Sequence, residues 1–261
     1  MVAAKLSQLT QGNATVDIWG LPLAPLTLTE TVHRVEELIR LGTPRYVITA
    51  NLNYAMLSSK DPRLQQANRG AAFIVADGMP LVWASRWQGQ PFPERVTGAD
   101  LLPALCGLAA QRGFRVLLLG GATGVAATAV DRLKFRYDGL QMIGMNAPLL
   151  RGMSDQCSAD LVERVKCIKP DLLLLACSQP EGELWLAENC STMGVPACVQ
   201  IGAAIDFAAG SVSRAPRLVQ HLGFEWLFRL GREPQRLAPR YWRNMRFLAS
   251  TLPRSLRKKG S

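Results

Sequence analysis

Three short apolar runs each end in residues of a type that can do chemistry. Phe73–Ala76 leads into Asp77-Gly78-Met79-Pro80, residues 46–50 carry Thr49 and are followed by Asn51 and Asn53, and Arg115–Gly120 opens Gly120-Gly121-Ala122-Thr123-Gly124. A carboxylate followed by glycine has room beside it for a ligand and can take the proton of an attacking hydroxyl. The same carboxylate could equally serve as a helix N-cap. Thr49 and Asn51 are short polar side chains suited to holding hydroxyl groups. A glycine-rich turn between strand and helix presents backbone N–H groups at a positive helix end, which suits a phosphate. Here the spacing is neither the dinucleotide fingerprint nor a P-loop, and lysine is absent, so a tight turn that requires glycine accounts for it as well. Arg95 precedes a helix opened by Thr97, a place that favours an anion; a surface ion pair with Glu94 or Asp100 is the local alternative.

These residues need a frame that brings strand ends together. Residues 46–50, 73–76, 115–120, 141–144, 171–176 and 197–201 are β-rich and apolar without alternation, as expected of strands buried on both faces of a parallel sheet. Helical patterns separate them. Thr27-Leu28-Thr29-Glu30 is a capping-box sequence closed by Gly42, and Asp61-Pro62 sets a cap before a first-turn proline. Alternation of this kind predicts an α/β fold, an open, doubly wound, mostly parallel sheet with helices on both faces. Its ligand crevice is expected at the carboxyl ends of the strands, where Asp77, Asn51 and the glycine turn fall.

Charge divides the chain. Residues 214–261 hold 12 Lys and Arg against two acids, Glu225 and Glu233, which accounts for the whole net charge of +10. Six of the 18 aromatic residues lie in the same stretch. The division predicts an α/β core over 1–213 and a basic, aromatic, helical C-terminal appendage over 214–261, suited to an anionic membrane surface, a phosphorylated substrate or nucleic acid. No apolar stretch approaches the ~20 residues needed to span a bilayer. The N-terminal residues lack the apolar core of a signal peptide, so a cytoplasmic protein is expected, held peripherally at the inner face of the membrane by its tail. Six cysteines without C-x-x-C spacing and two histidines argue for reduced thiols and against a zinc site. No cofactor and no metal are expected, and the sequence leaves a homo-oligomer open.

Several segments together resemble the WecG/TagA/CpsF family of bacterial glycosyltransferases. They are Thr49-Ala50-Asn51, Ala76-Asp77-Gly78-Met79-Pro80-Leu81-Val82-Trp83, Glu94-Arg95-Val96-Thr97-Gly98-Ala99-Asp100, and Leu119-Gly120-Gly121 with Gly124-Val125-Ala126. Further on come Gly202-Ala203-Ala204-Ile205-Asp206-Phe207, Arg214-Ala215-Pro216, Glu225-Trp226-Leu227-Phe228-Arg229-Leu230, Glu233-Pro234-Gln235-Arg236-Leu237 and Arg240-Tyr241. The resemblance implies transfer of a hexose or N-acetylhexosamine, N-acetylmannosamine among them, from a UDP-sugar to a sugar on a membrane-bound polyprenyl diphosphate. It also implies inversion at the anomeric carbon without a metal, and no Asp-x-Asp sequence is present to carry one.

On this reading Asp77 is the general base, with Thr49 and Asn51 beside it on substrate hydroxyls. Arg95, Gly120, Gly121 and Gly124 bind the nucleotide and Asp206 its uridine end, while Arg214, Arg229, Arg236 and Arg240 meet the diphosphates. One departure concerns the donor sugar: Gly182 stands where the family carries a glutamine, in Gln179-Pro180-Glu181-Gly182-Glu183-Leu184-Trp185. The donor is therefore left open, and Gln179 is a candidate substitute. Two readings from other classes are weaker. A nucleic-acid-binding protein would use the basic, aromatic tail, but the body shows no nucleic-acid module. A nicotinamide-dependent oxidoreductase lacks the full fingerprint and its ribose-binding acid.

Overall fold

A computed structural model describes residues 15–221 and 223–257, apart from the side chains at 217, 221, 236 and 252–257. The chain opens with a two-stranded antiparallel hairpin, β1 (Val16–Ile18) and β2 (Leu21–Leu23), turned by Trp19 and Gly20, both with positive φ. Helix α1 (Leu28–Leu41) follows, with the capping box formed by Thr27 and Glu30 and the left-handed cap at Gly42. Then come β3 (Arg45–Ala50), α2 (Leu52–Ser58), α3 (Pro62–Gly70), β4 (Phe73–Ala76), α4 (Met79–Trp87) and α5 (Gly98–Arg112). The second half holds β5 (Arg115–Gly120), α6 (Val125–Arg136), β6 (Gln141–Met145), α7 (Asp155–Ile168), β7 (Leu172–Ala176), α8 (Glu181–Met193) and β8 (Ala197–Gln200). Four helices end the described chain: α9 (Ala204–Ala209), α10 (Arg217–His221), α11 (Glu225–Arg232) and α12 (Pro234–Arg257).

Strands β3 to β8 form one parallel sheet in the order β4-β3-β8-β7-β5-β6. The α/β class and parallel sheet expected from the sequence are what the structure shows. Successive strand residues point to opposite faces, and both faces are covered. Val47, Val75, Leu118, Leu174 and Val199 pack under α1, α5, α6 and α9. Ile48, Ile74, Leu117, Leu173 and Cys198 pack under the hairpin, α2 to α4, α7 and α8. This is why the strands read as unbroken apolar runs.

The topology creates one crevice. Strands β3 and β8 are neighbours, yet α2 leaves β3 toward one face and α9 leaves β8 toward the other. The carboxyl ends of these strands, with that of β4, are thus left uncovered by their own connections. Gly98, at the start of α5, fits against the end of β8 because it has no side chain: a Cβ there would lie 2.3 Å from the Ile201 carbonyl oxygen.

The last helices close over this rim. Pro234 cannot continue α11 and instead occupies the first position of α12. Helix α12 lies against α2 and α4, and Phe247 meets Trp19 edge to face at 5.7 Å. Trp226 and Tyr241 make a second edge-to-face pair, also at 5.7 Å, that ties α11 to α12. None of the described helices is long and apolar enough to cross a membrane.

Candidate active site

The crevice is a cavity of about 380 Å³. Its floor is built from strand ends: Asn51 after β3, Asp77 after β4, and Ile201 and Ala204 after β8. Its walls come from Arg95 and Thr97 ahead of α5, and from Trp226, Arg229, Arg240, Tyr241 and Asn244 on α11 and α12. Thus five residues singled out from the sequence, Asp77, Asn51, Arg95, Arg229 and Arg240, share one cavity although they span 190 positions.

Asp77 keeps part of its surface toward the cavity, but protein encloses its carboxyl group. Burial pushes its pKa up to about 6, and the charges of Glu225 and Asp100 add to the rise. The Arg95 charge and the Gly98 N–H, which donates to Oδ2 at 3.5 Å, oppose it. The balance leaves a carboxylate that is ionised at neutral pH and much more basic than an exposed aspartate, as suits a general base.

An ion-pair network surrounds it. Arg95 donates to Glu225 of α11 at 3.3 Å, a partner 130 residues away, rather than to the neighbouring Glu94 or Asp100. Glu225 also accepts from Arg214 at 3.4 Å, and Arg214 grips Asp100 at 2.5 and 3.0 Å. Thr97 caps α5 through the Asp100 N–H and donates its hydroxyl to Asp100 at 2.7 Å. Burial works against ionised Asp100, yet hydrogen bonds from Arg214 and Thr97 outweigh it and hold its pKa below the usual range. Arg214 and Glu225 therefore tie the C-terminal segment to the start of α5, while the charges of Arg95, Glu225 and Asp100 set the field at Asp77.

The remaining residues singled out from the sequence take other positions. The Thr49 hydroxyl is buried and donates to the Gln200 carbonyl at 2.9 Å, tying β3 to β8 below the cavity floor. Asn51 lines the cavity while its side-chain oxygen caps α2 through the Tyr54 N–H. The Gly120-Gly121-Gly124 turn lies outside the cavity. Gly120 has φ 133°, and a Cβ there would sit 2.3 Å from the Ala176 carbonyl oxygen, so packing alone demands glycine. Asp206 sits on α9 beside the cavity-lining Phe207 without lining it. The Arg236 side chain lies outside the described residues.

Arg229 is held from below by the Phe207 ring, its guanidinium carbon 5.6 Å from the centroid. Its Nε is buried and finds no acceptor among the described residues. Such a donor is ready for an anion. Phe207, Trp226 and Asn244 were not singled out as site residues. The ring under an arginine is a recognisable signal only after folding, because the two lie 22 positions apart.

Behind the floor is a buried polar cluster around the Gly182 departure. A Cβ at Gly182 would lie 2.3 Å from Gln200 Nε2, which donates to the Cys177 carbonyl at 3.1 Å. The space a side chain at 182 would need is filled from β8 by Gln200. Gln179 Oε1 accepts from Asn53, itself a cavity residue, at 3.4 Å. Next to them Glu183 is fully buried, and burial pushes its pKa up to about 7. A carboxyl group with a raised folded-state pKa binds more protons folded than unfolded. Its effect is therefore a loss of stability as pH rises from about 4.5 to about 7. Replacing Glu183 with glutamine should leave thermal unfolding nearly unchanged below about pH 4, under the unfolded-state value of 4.5. At pH 8 it should raise the melting temperature by several degrees, from an upper limit of about 3 kcal/mol at 1.36 kcal/mol per pH unit. An unchanged melting temperature at pH 8 would contradict this account of Glu183.

A second cavity of about 620 Å³ lies at the opposite end of β3, between α3 and α8 and lined by Arg45, Tyr46 and Cys190 among others. It shares no residue with the first.

The geometry thus offers one enclosed base, cations from three elements, and an opening between the strand ends and the last helices. Comparison with known proteins agrees in kind. The glycosyl transferase WecG/TagA/CpsF family profile matches residues 16–261. A Bacillus spizizenii protein named N-acetylglucosaminyldiphosphoundecaprenol N-acetyl-beta-D-mannosaminyltransferase is 28% identical over 200 residues, covering 77% of this chain and 74% of that one. A Staphylococcus aureus protein of the same name is 27% identical over 221 residues, covering 83% and 84% respectively. With a match over nearly the whole described chain, this protein belongs to the WecG/TagA/CpsF family of glycosyl transferases.

Proposed function

We propose that this enzyme moves an N-acetylhexosamine or hexose from a UDP-sugar to a sugar carried on a polyprenyl diphosphate, by a single inverting displacement without a metal. The observation that supports it most is Asp77, an enclosed carboxylate of raised pKa in a cavity that also receives Arg95, Arg229 and Arg240. The acceptor class is suggested by the names of the relatives, whose substrate is N-acetylglucosaminyldiphosphoundecaprenol.

In this mechanism Asp77 takes the proton from the acceptor hydroxyl as its oxygen bonds to the anomeric carbon. The bond from that carbon to the UDP oxygen breaks on the far side, and the electron pair leaves with the diphosphate. Charge therefore develops where cationic donors are needed. Arg229 and Arg240 meet that charge, and Arg95 shares its own between Glu225 and the cavity. The loss of water from the enclosed site strengthens each of these interactions.

The basic C-terminal helices have two tasks in this reading. Their inner side completes the cavity. Their outer side bears exposed Leu218, Leu227 and Trp242 among arginines, suited to the anionic inner face of the membrane where the lipid-linked acceptor resides. Binding to vesicles rich in anionic lipid should be strong at low salt and weaken as salt rises.

The test is transfer by the purified protein from a panel of UDP-sugars to a short-chain polyprenyl diphosphate N-acetylglucosamine. The expected result is a glycosylated lipid from at least one donor, at a rate unchanged by excess EDTA. No transfer from any donor would overturn the reading, and loss in EDTA restored by Mg²⁺ or Mn²⁺ would overturn the metal-free mechanism.

A further inference from the structure

Asn244 is an amide side chain on the wall that α11 and α12 bring to the cavity. It lies on α12, is 5% exposed, and lines the cavity between Arg240 and Leu248. Its Oδ1 finds no hydrogen-bond donor among the described residues. Folded proteins leave few buried polar atoms in that state, and each calls for an explanation. The helix does not need asparagine at this position, since Asn has lower helix propensity than most residues. The neighbouring lining residues Leu237, Met245 and Leu248 are apolar.

The chemistry of the missing partner follows from the acceptor. An amide oxygen accepts from N–H or O–H and has no charge to offer. The arginines of this cavity can meet phosphate, whereas Asn244 Oδ1 can meet only a donor group. A sugar hydroxyl and the N–H of an acetamido group are both of that kind. The strong penalty for leaving such an acceptor unpaired is what lets a site reject a substrate lacking the donor.

We infer that Asn244 is a specificity-determining residue whose side-chain oxygen accepts a hydrogen bond from an N–H or O–H of a bound sugar. The inference rests on the proposed sugar transfer at this cavity. It gives α12 a role in reading the substrate as well as in closing the site. Donor and acceptor sugars can each supply the group, and the kinetics tell them apart.

The test compares the wild-type enzyme with Asn244→Leu and Asn244→Ser, varying UDP-sugar and lipid-linked acceptor separately. For Asn244→Leu, one KM should rise roughly 10–100-fold, as for loss of a substrate hydrogen bond, while kcat changes far less. The donor sugar is identified if its KM moves, and the acceptor sugar if the other does. The melting temperature without substrate should stay the same or rise, because an unpaired buried oxygen has been removed. A merely structural asparagine would give the opposite pattern, lower stability with both KM values retained. Asn244→Ser keeps a small acceptor and should show a smaller KM increase, which also serves if the leucine variant does not fold. Both KM values within twofold of wild type in a folded variant would overturn the inference alone. Wild-type protein without any transfer activity would overturn the reading of the cavity and this inference with it.

Discussion

Replacing Asp77 with asparagine should lower transfer by roughly 10²–10⁴-fold, the usual cost of a lost acid–base group, while making the protein more stable at pH 8. Both effects come from the same enclosure. The carboxyl group is neutral in the unfolded chain only below its ordinary pKa of 3.8, whereas in the fold it holds its proton up to about 6. A raised carboxylate pKa means that stability is lost as pH rises through this window, and the loss persists above it. Asparagine retains an oxygen for the Gly98 N–H and carries no charge, so it escapes the penalty. The gain is bounded by about 3 kcal/mol, or several degrees in melting temperature. Steady-state kinetics and thermal unfolding of one preparation check both. A variant of near-normal activity would remove Asp77 from the base role. A variant that is inactive and less stable would show that the carboxylate holds the rim together instead.

The second large effect is expected at Arg229. Its Nε lacks an acceptor among the described residues, and the Phe207 ring fixes its guanidinium group. Arg229→Ala should lower kcat by roughly 10²–10³-fold, as loss of a donor to developing negative charge does in other enzymes. Mg²⁺ should not restore it. Phe207→Leu should cost much less, since it removes the support and leaves the cation in place; exposed to partly buried cation–π contacts contribute about 0.5–2 kcal/mol. Single-turnover measurements separate this from product release. A kcat within a few-fold of wild type for Arg229→Ala would place leaving-group stabilisation elsewhere in the cavity.

The frame of this site is legible in the sequence for a physical reason. Strands buried on both faces carry no polar alternation, so each of the six stands out as an apolar run. Helix starts are equally visible, because Thr27, Asp61 and Thr97 satisfy N–H groups that no helix can satisfy internally. The β1–β2 hairpin is not legible: three-residue strands offer too short a period, and its turn places Trp19 at positive φ, where glycine or asparagine is the usual signal. Long-range pairing is the other blind spot. Nothing near Arg95 announces Glu225, and Arg214, read as a ligand for phosphate, spends its donors on Asp100 and Glu225. The glycine turn after β5 shows the converse, a phosphate-like pattern whose first glycine is required by the carbonyl of Ala176. Asn244 was hidden because one asparagine in a basic amphipathic helix looks solvated until the helix is docked on α2.

The measurement that bears most directly on the mechanism is the pH dependence of kcat/KM for wild-type enzyme and for the residual activity of Asp77→Asn. An essential base with a pKa near 6 predicts a wild-type rate that rises with pH and levels off above an inflection near 6, where Asp77 has lost its proton. In the asparagine variant that inflection should be absent. The same inflection in both proteins would contradict the assignment of Asp77 as the base that drives transfer.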